Sequence, residues 1–334
     1  MDITEEEKNL IRQKVEKLKN SRFKQQTLPA WRPIPSFRST MITFTVFGVI
    51  FLGLGVLLYI MSDQIQEVGV QNYDDDALCK NANGTPKPTC TIDFWVNDTI
   101  KAPVYIYYQL DNFYQNHRRY VKSRSFNQLK GDWLTVDKLS DCDPIKKVSD
   151  LSDNQKYNLK KVKMTDMDAP AVPCGLVAKS YFNDTYLLAD PDGKNITIND
   201  VNIAWESDRQ YKFKNIQNPP DGKTYQDVQW INMEDEHFIV WMRTAGLPNF
   251  RKLWGKIERD LTPGRYAVQI ANNYDVNGFE GNKSFVLSTT NALGGKNYFL
   301  AICYIVVGSL CLVFAIIFLV AFLKKRKDIN RRTE

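Results

Sequence analysis

Two apolar runs, residues 41–61 and 298–323, contain no charged side chain and lie near opposite ends of a 334-residue chain, with 236 residues between them. A helix rises about 1.5 Å per residue and a bilayer's hydrocarbon core is about 30 Å thick. The first run is therefore just long enough to cross, and the second can cross with some tilt. Everything enclosed must then lie on one side of the membrane. A cleaved signal peptide has an apolar core of about 7–15 residues close to its start. Forty residues precede the first run, which reads as a retained anchor.

Basic residues flanking a span are held on the cytoplasmic side. The first 40 residues carry nine Lys/Arg and the last eleven carry six, whereas the enclosed region has 29 bases against 31 acids. The formal charge of +6 thus resides in the tails. It describes membrane-adjacent segments rather than a nucleic-acid-binding face. The expected organisation is a cytoplasmic tail (1–40), a first transmembrane helix (41–61), a lumenal or extracellular domain (62–297), a second transmembrane helix (298–323) and a cytoplasmic tail (324–334).

The enclosed region has the marks of an oxidising compartment. It holds Cys79, Cys90, Cys142 and Cys174, whereas Cys303 and Cys311 lie in the second apolar run. Four cysteines allow three pairings, and sequence proximity favours Cys79–Cys90 with Cys142–Cys174. Five Asn-x-Ser/Thr sequons, at Asn83, Asn97, Asn183, Asn195 and Asn282, fall in the same region and none falls in a tail.

Hydrophobic alternation within the enclosed region has period two. Val104, Ile106, Tyr108 and Leu110 alternate with Pro103, Tyr105, Tyr107 and Gln109, and strand-like runs recur at 91–96, 237–243, 265–270 and 283–288. Turn signals such as Pro191-Asp192-Gly193 and Pro263-Gly264 separate such runs. The expected fold is a mainly antiparallel, β-sandwich-like domain with short helices. Two of these are predicted at 112–122 and at 250–257, where Phe250, Leu253, Trp254 and Ile257 share a helical face. Residues 139–168 read as a polar, exposed excursion. In the first tail, Thr4-Glu5-Glu6-Glu7 fits a capping box and Leu10, Ile11, Val15 and Leu18 share a face, predicting a helix over 4–19. The proline-rich stretch 23–35 is expected to run extended.

No catalytic constellation stands out. Gly222-Lys223-Thr224 lacks the upstream glycine of a phosphate loop, because position 217 is Gln217. Asp190-Pro191-Asp192-Gly193 lacks the later ligands of a calcium loop and reads as a turn. Asp74-Asp75-Asp76 is a solvated acidic run, and His117 and His237 have no partners at metal-binding spacing. No cofactor is expected. The most polar members of the spans are Thr43, Thr45 and Ser309, beside the small residues Gly48, Gly53, Gly55 and Gly308, a composition suited to helix packing rather than to a transport path.

Longer words then become specific. Phe23-Lys24-Gln25-Gln26 with Leu28-Pro29-Ala30-Trp31-Arg32-Pro33, and Asn112-Phe113-Tyr114-Gln115-Asn116-His117-Arg118-Arg119-Tyr120, resemble signatures of the cell cycle control protein fifty family. So do Pro173-Cys174-Gly175-Leu176-Val177-Ala178, Phe182-Asn183-Asp184-Thr185, Trp241-Met242-Arg243-Thr244-Ala245-Gly246-Leu247-Pro248, Asn272-Asn273-Tyr274 and Leu293-Gly294-Gly295-Lys296-Asn297. The resemblance covers residues 23–323, in the family's order. It differs in one place: some relatives have an additional cysteine pair inside the first disulfide loop, absent here from 80–89.

The resemblance implies a non-catalytic accessory (beta) subunit of a type IV P-type ATPase phospholipid flippase. Such a subunit pairs one-to-one with the catalytic chain within membrane lipid, assists its folding and exit from the endoplasmic reticulum, and supports transport. The implied compartments are the endoplasmic reticulum, Golgi, endosomes and plasma membrane. The family match at 182–185 supports a glycan on Asn183. The segment carrying Phe23, Leu28, Pro29, Trp31, Arg32 and Pro33 would run along the partner's cytoplasmic side, and Arg118 and Arg119 would meet acidic loops or lipid phosphate. Two other classes share parts of the layout: a trimeric ligand-gated channel with two spans, and a membrane-tethered hydrolase.

Overall fold

The computed structural model describes residues 5–27, 36–81, 83, 85–220, 222–292 and 294–333. The chain forms two compact units, Met1–Tyr59 with Phe299–Glu334, and Ile60–Tyr298.

The first unit contains α1 (Glu5–Asn20), α2 (Phe37–Asp63) and the late helix Phe299–Thr333. Thr4, the proposed cap of α1, lies outside the described residues. Both α2 and the late helix are long and apolar enough to cross a membrane. They pack on each other through glycine. A methyl group at Gly308 would stand 2.8 Å from the Leu52 backbone nitrogen and 3.1 Å from the Gly48 carbonyl oxygen, and one at Gly55 would meet Ile305. Phe44 sits between Phe314 and Phe318 at 5.6 and 5.9 Å, and Phe51 meets Tyr304 edge-on. Thr45 and Ser309 donate their hydroxyls to the carbonyls of Met41 and Ile305 one turn back, so neither offers a free donor to lipid or partner. Gly53 alone among the four glycines has open space where a side chain would go. Gly308→Leu is therefore expected to destabilise the hairpin by about 1–3 kcal/mol, the usual range for overpacking. Gly53→Leu should leave it unchanged. Thermal unfolding in detergent separates them, and equal loss at both sites would contradict this packing.

The second unit is built on β1 (Glu67–Val70), β2 (Thr89–Val96), β3 (Val104–Leu110), β4 (Thr185–Ala189), β5 (Asn195–Ile196), β6 (Phe250–Ile257), β7 (Gly264–Ala271) and β8 (Lys283–Ser288). They form two four-stranded sheets, ordered β1-β8-β3-β6 and β2-β7-β4-β5. All pairings are antiparallel. In β2, Cys90, Ile92, Phe94 and Val96 point inward and their neighbours are exposed, as a strand with one dry face requires. The two sheets meet through aromatic rings: Phe285 of β8 lies 6.2 Å from Phe94 of β2 and 5.0 Å from Tyr186 of β4. This is the expected sandwich. Short helices are inserted between strands: α3 (Arg118–Lys122), α4 (Phe126–Leu129), α5 (Leu176–Lys179), α6 (Glu206–Tyr211), α7 (Tyr225–Val228) and α8 (Glu236–Met242). The late membrane helix is α9.

Several local expectations are corrected. Residues 250–257 form β6, not a helix. Trp254 is an extra residue in a bulge opposite the Ile106/Tyr107 junction, so the inward set runs 250, 252 and then 255, 257. That shift of phase imitates a helical period. Conversely, 237–243 is not a strand. Asp235 accepts from the His237 amide at 2.8 Å and starts α8, which buries Phe238, Ile239, Trp241 and Met242. The predicted helix at 112–122 is confined to 118–122, because Asn112 adopts φ 58° and the chain turns before His117. Residues 22–26 form turns rather than an extended strip, with the Thr27 amide donating to the Arg22 carbonyl at 2.8 Å. The stretch 139–168 is not simply exposed: Leu139, Cys142, Ile145 and Leu151 gather with Ala171 and Cys174 in a small second core.

Candidate functional site

Five of the signature words, far apart in sequence, meet within the enclosed domain. The 112–120 and 241–248 words are laced together. The Phe113 amide donates to the Pro248 carbonyl at 3.0 Å, the Ala245 amide to Gln115 Oε1 at 2.9 Å, and Asn116 Nδ2 to the Gly246 carbonyl at 2.9 Å. Trp241, wholly buried, donates its indole N–H to the Val177 carbonyl at 2.7 Å and so fastens the 173–178 word. Gly175, at φ 98°, passes directly against the Ser123 backbone, where any side chain would collide.

The 182–185 and 272–274 words close around a buried charge. Lys283 Nζ donates to Asp184 Oδ2 at 2.7 Å, to Asn272 Oδ1 at 2.5 Å and to the Tyr274 carbonyl at 2.5 Å. Asp184 also accepts from the amides of Asn273 and Tyr274, each at 2.6 Å, and from the Tyr73 hydroxyl at 2.6 Å. Burial first, then Tyr186 and Asp184, push the Tyr73 pKa far above its ordinary value, so its hydroxyl stays a donor. Both ions are almost completely inaccessible, 1% for Lys283 and 2% for Asp184. Every lone pair and proton is matched, which is what a buried pair needs in order to persist.

Two disulfides complete the frame. Cys79 is bonded to Cys90 and Cys142 to Cys174, with Cα atoms 4.9 and 5.7 Å apart.

The surface residues singled out from sequence are more scattered. Arg118 and Arg119 open α3 and are exposed, and neither has an ion pair among the described residues. Phe23 is 77% exposed at the tip of its turn. Leu28, Pro29, Trp31, Arg32 and Pro33 lie outside the described residues. Of the sequon asparagines, Asn83, Asn97 and Asn195 are exposed, and Asn183 and Asn282 are half-buried. Among the described residues no three His, Cys, Asp or Glu side chains gather as a metal site would require. His237 faces Asp200 at 3.4 Å and packs on Trp254. Asp190 spends its carboxylate on the amides of Asp192 and Lys194 within its own turn.

Residues 40–328 match the profile of the LEM3 (ligand-effect modulator 3) family / CDC50 family. The chain belongs to this family. It is similar to ALA-interacting subunit 3 of Arabidopsis thaliana, 41% identical with 93% of this chain and 88% of the relative covered. It is also similar to cell cycle control protein 50A of Mus musculus, 38% identical with 93% and 90% covered. A third relative is the phospholipid-transporting ATPase accessory subunit CRF1 of Saccharomyces cerevisiae, 32% identical with 95% and 88% covered. In this CDC50-family chain, then, most of the signature words that lie in the enclosed domain build its interior rather than an exposed catalytic cleft.

One structural cation escaped sequence reading. Sequence places Lys252 on the solvated face of the helix predicted at 250–257, yet it is buried and its ammonium donates to the carbonyls of Val240 at 3.1 Å, Trp241 at 2.8 Å and Arg243 at the end of α8. Burial, reinforced by the neighbouring Arg243 guanidinium, pulls its pKa down to about 7. The unfolded lysine keeps its ordinary value of 10.5, so between these limits the unfolded chain binds more protons and stability rises with pH. Relative to Lys252→Met, the wild-type unfolding free energy should climb between pH 7 and 10 by up to about 1.4 kcal/mol per pH unit and be level below 7. Parallel denaturation curves across pH would contradict this.

Proposed function

We propose that this chain is the non-catalytic accessory subunit of a type IV P-type ATPase phospholipid flippase, and that it works by binding. The observation that carries the proposal is alignment over more than nine-tenths of the chain with relatives named as interacting or accessory subunits, one of them of a phospholipid-transporting ATPase. The chemistry of the chain agrees. In its charge-free spans the Thr45 and Ser309 hydroxyls are engaged internally, and its best-bonded polar cluster is sealed in the core, where no substrate reaches it.

In this reading both tails are cytoplasmic, and the sandwich lies in the lumen or outside the cell, where its disulfides and sequon glycans form. The α2–α9 hairpin lies beside the partner's membrane helices. Residues 23–35, with Phe23, Leu28, Pro29, Trp31, Arg32 and Pro33, follow the partner's cytoplasmic surface, and Arg118 and Arg119 offer guanidinium groups to acidic loops or lipid phosphate. The pair forms one-to-one, leaves the endoplasmic reticulum together, and acts in Golgi, endosomal or plasma membranes. An interface composed of spans, sandwich and tail has the extent of a permanent complex.

Affinity purification in mild detergent tests the proposal. A type IV ATPase should co-elute at equal stoichiometry, and lipid translocation or ion current from this polypeptide alone in vesicles would refute it. Deleting 23–35 should lower lipid transport by the complex while leaving the abundance of the subunit unchanged. Equal transport with and without the segment would remove it from the interface.

A further inference from the structure

The five sequons are not equivalent in the fold. Asn97 and Thr99 follow β2 in an exposed loop, and Asn195 and Thr197 stand exposed with Ile196 turned inward between them. Asn83 and Thr85 are exposed as well. Asn282-Lys283-Ser284 is built the other way. It leads into β8, the strand enclosed between β1 and β3. The Asn282 carbonyl accepts from the Asp111 amide at 3.1 Å. In the amide orientation that its neighbours require, the Asn282 side-chain nitrogen donates to the Gly281 carbonyl and to Asp75 Oδ2, each at 3.2 Å. Lys283 is 1% and Ser284 2% exposed, and Ser284 Oγ is occupied by the Asn72 amide at 3.1 Å.

Glycan transfer joins the asparagine side-chain nitrogen to the anomeric carbon of a lipid-diphosphate-linked oligosaccharide. The nitrogen loses one proton and the lipid diphosphate departs. The acceptor must be reachable, and the bulky product must remain at the surface. Resting on the lumenal orientation proposed above, we propose that seating of β8 withdraws the Asn282 sequon from modification. The native protein then carries no glycan at 282, and only chains whose β8 fails to seat acquire one.

The order of synthesis favours this outcome. Both strands that receive β8 precede it in the chain, so its slot is available as soon as it arrives. Asn183 differs in timing. Its neighbour Asp184 is locked by Lys283, 99 residues further on, so that sequon stays open during the interval. At about 5–20 residues per second the opening lasts on the order of 5–20 s.

The test is site-by-site glycopeptide mass spectrometry on the full chain expressed with its catalytic partner. Expected are occupied Asn97 and Asn195, an unmodified Asn282, and unchanged gel mobility in Asn282→Gln. Val286→Pro breaks β8 in mid-strand, and Tyr73→Ala removes a buried partner of Asp184; both leave the 282–284 sequon intact. At least one of them should gain an endoglycosidase-sensitive glycan that Asn282→Gln abolishes. A glycan on Asn282 in exported, partner-bound protein overturns the proposal. So does an unmodified Asn282 in both variants, which would assign the closure to the short run of chain between it and the second membrane span instead. Bare Asn97 and Asn195 would overturn the lumenal orientation and not the closure.

Discussion

Lys283→Met is expected to destabilise the sandwich by about 3–5 kcal/mol, because it leaves the Asp184 carboxylate buried without its cation. Asp184→Ala should be worse. That carboxylate accepts from two backbone amides and the Tyr73 hydroxyl besides the ammonium, so its loss takes a partner from four donors, whereas loss of the ammonium takes one from three acceptors. Both substitutions would remove a large part of the roughly 5–15 kcal/mol by which a domain is stable. Thermal unfolding of the purified subunit measures the difference, and a milder effect for Asp184→Ala than for Lys283→Met would show that the carboxylate is not the hub.

Cys142→Ser is the second large effect. The Cys142–Cys174 bond closes a loop of 32 residues and Cys79–Cys90 one of 11. Chain-entropy arithmetic gives about 3.7 kcal/mol for the longer and about 2.8 kcal/mol for the shorter. Both bonds are packed in a core, the longer in the small second one with Leu139, Ile145 and Leu151 and the shorter in the main one, so loop length is what ranks them. Cys142→Ser should therefore accumulate in the endoplasmic reticulum with immature, endoglycosidase-sensitive glycans, more severely than Cys79→Ser. Normal export of Cys142→Ser, or the reverse ranking, would contradict the assignment of the larger share to this bond.

The parts of the fold legible in sequence were those with one uninterrupted period. β2, β7 and β8 follow plain runs of strand-forming residues, and the membrane helices follow from length and the absence of charge. Reading failed where tertiary structure overrides period. In β6 a single bulged Trp254 moved the inward phase, and Lys252, expected on a solvated face, is buried. In α8 the β-favouring content of Phe238, Ile239, Val240 and Trp241 masked a helix that Asp235 announces as its cap. The Lys283–Asp184 pair has no local signal, since its members are 99 residues apart and a lysine in a strand normally faces water. The family words pointed to both neighbourhoods without revealing that their role there is internal.

The glycine contacts at positions 48, 55 and 308 bear on how a partner meets the membrane portion. With those close approaches already used within the chain, α2 and α9 present themselves as one prefabricated plank rather than two loose rods. A partner has fewer degrees of freedom left to immobilise upon contact, which leaves more of the contact energy for affinity. In the proposed complex, recognition in the bilayer then depends on the outline of the plank, where Gly53 is the one glycine notch left open.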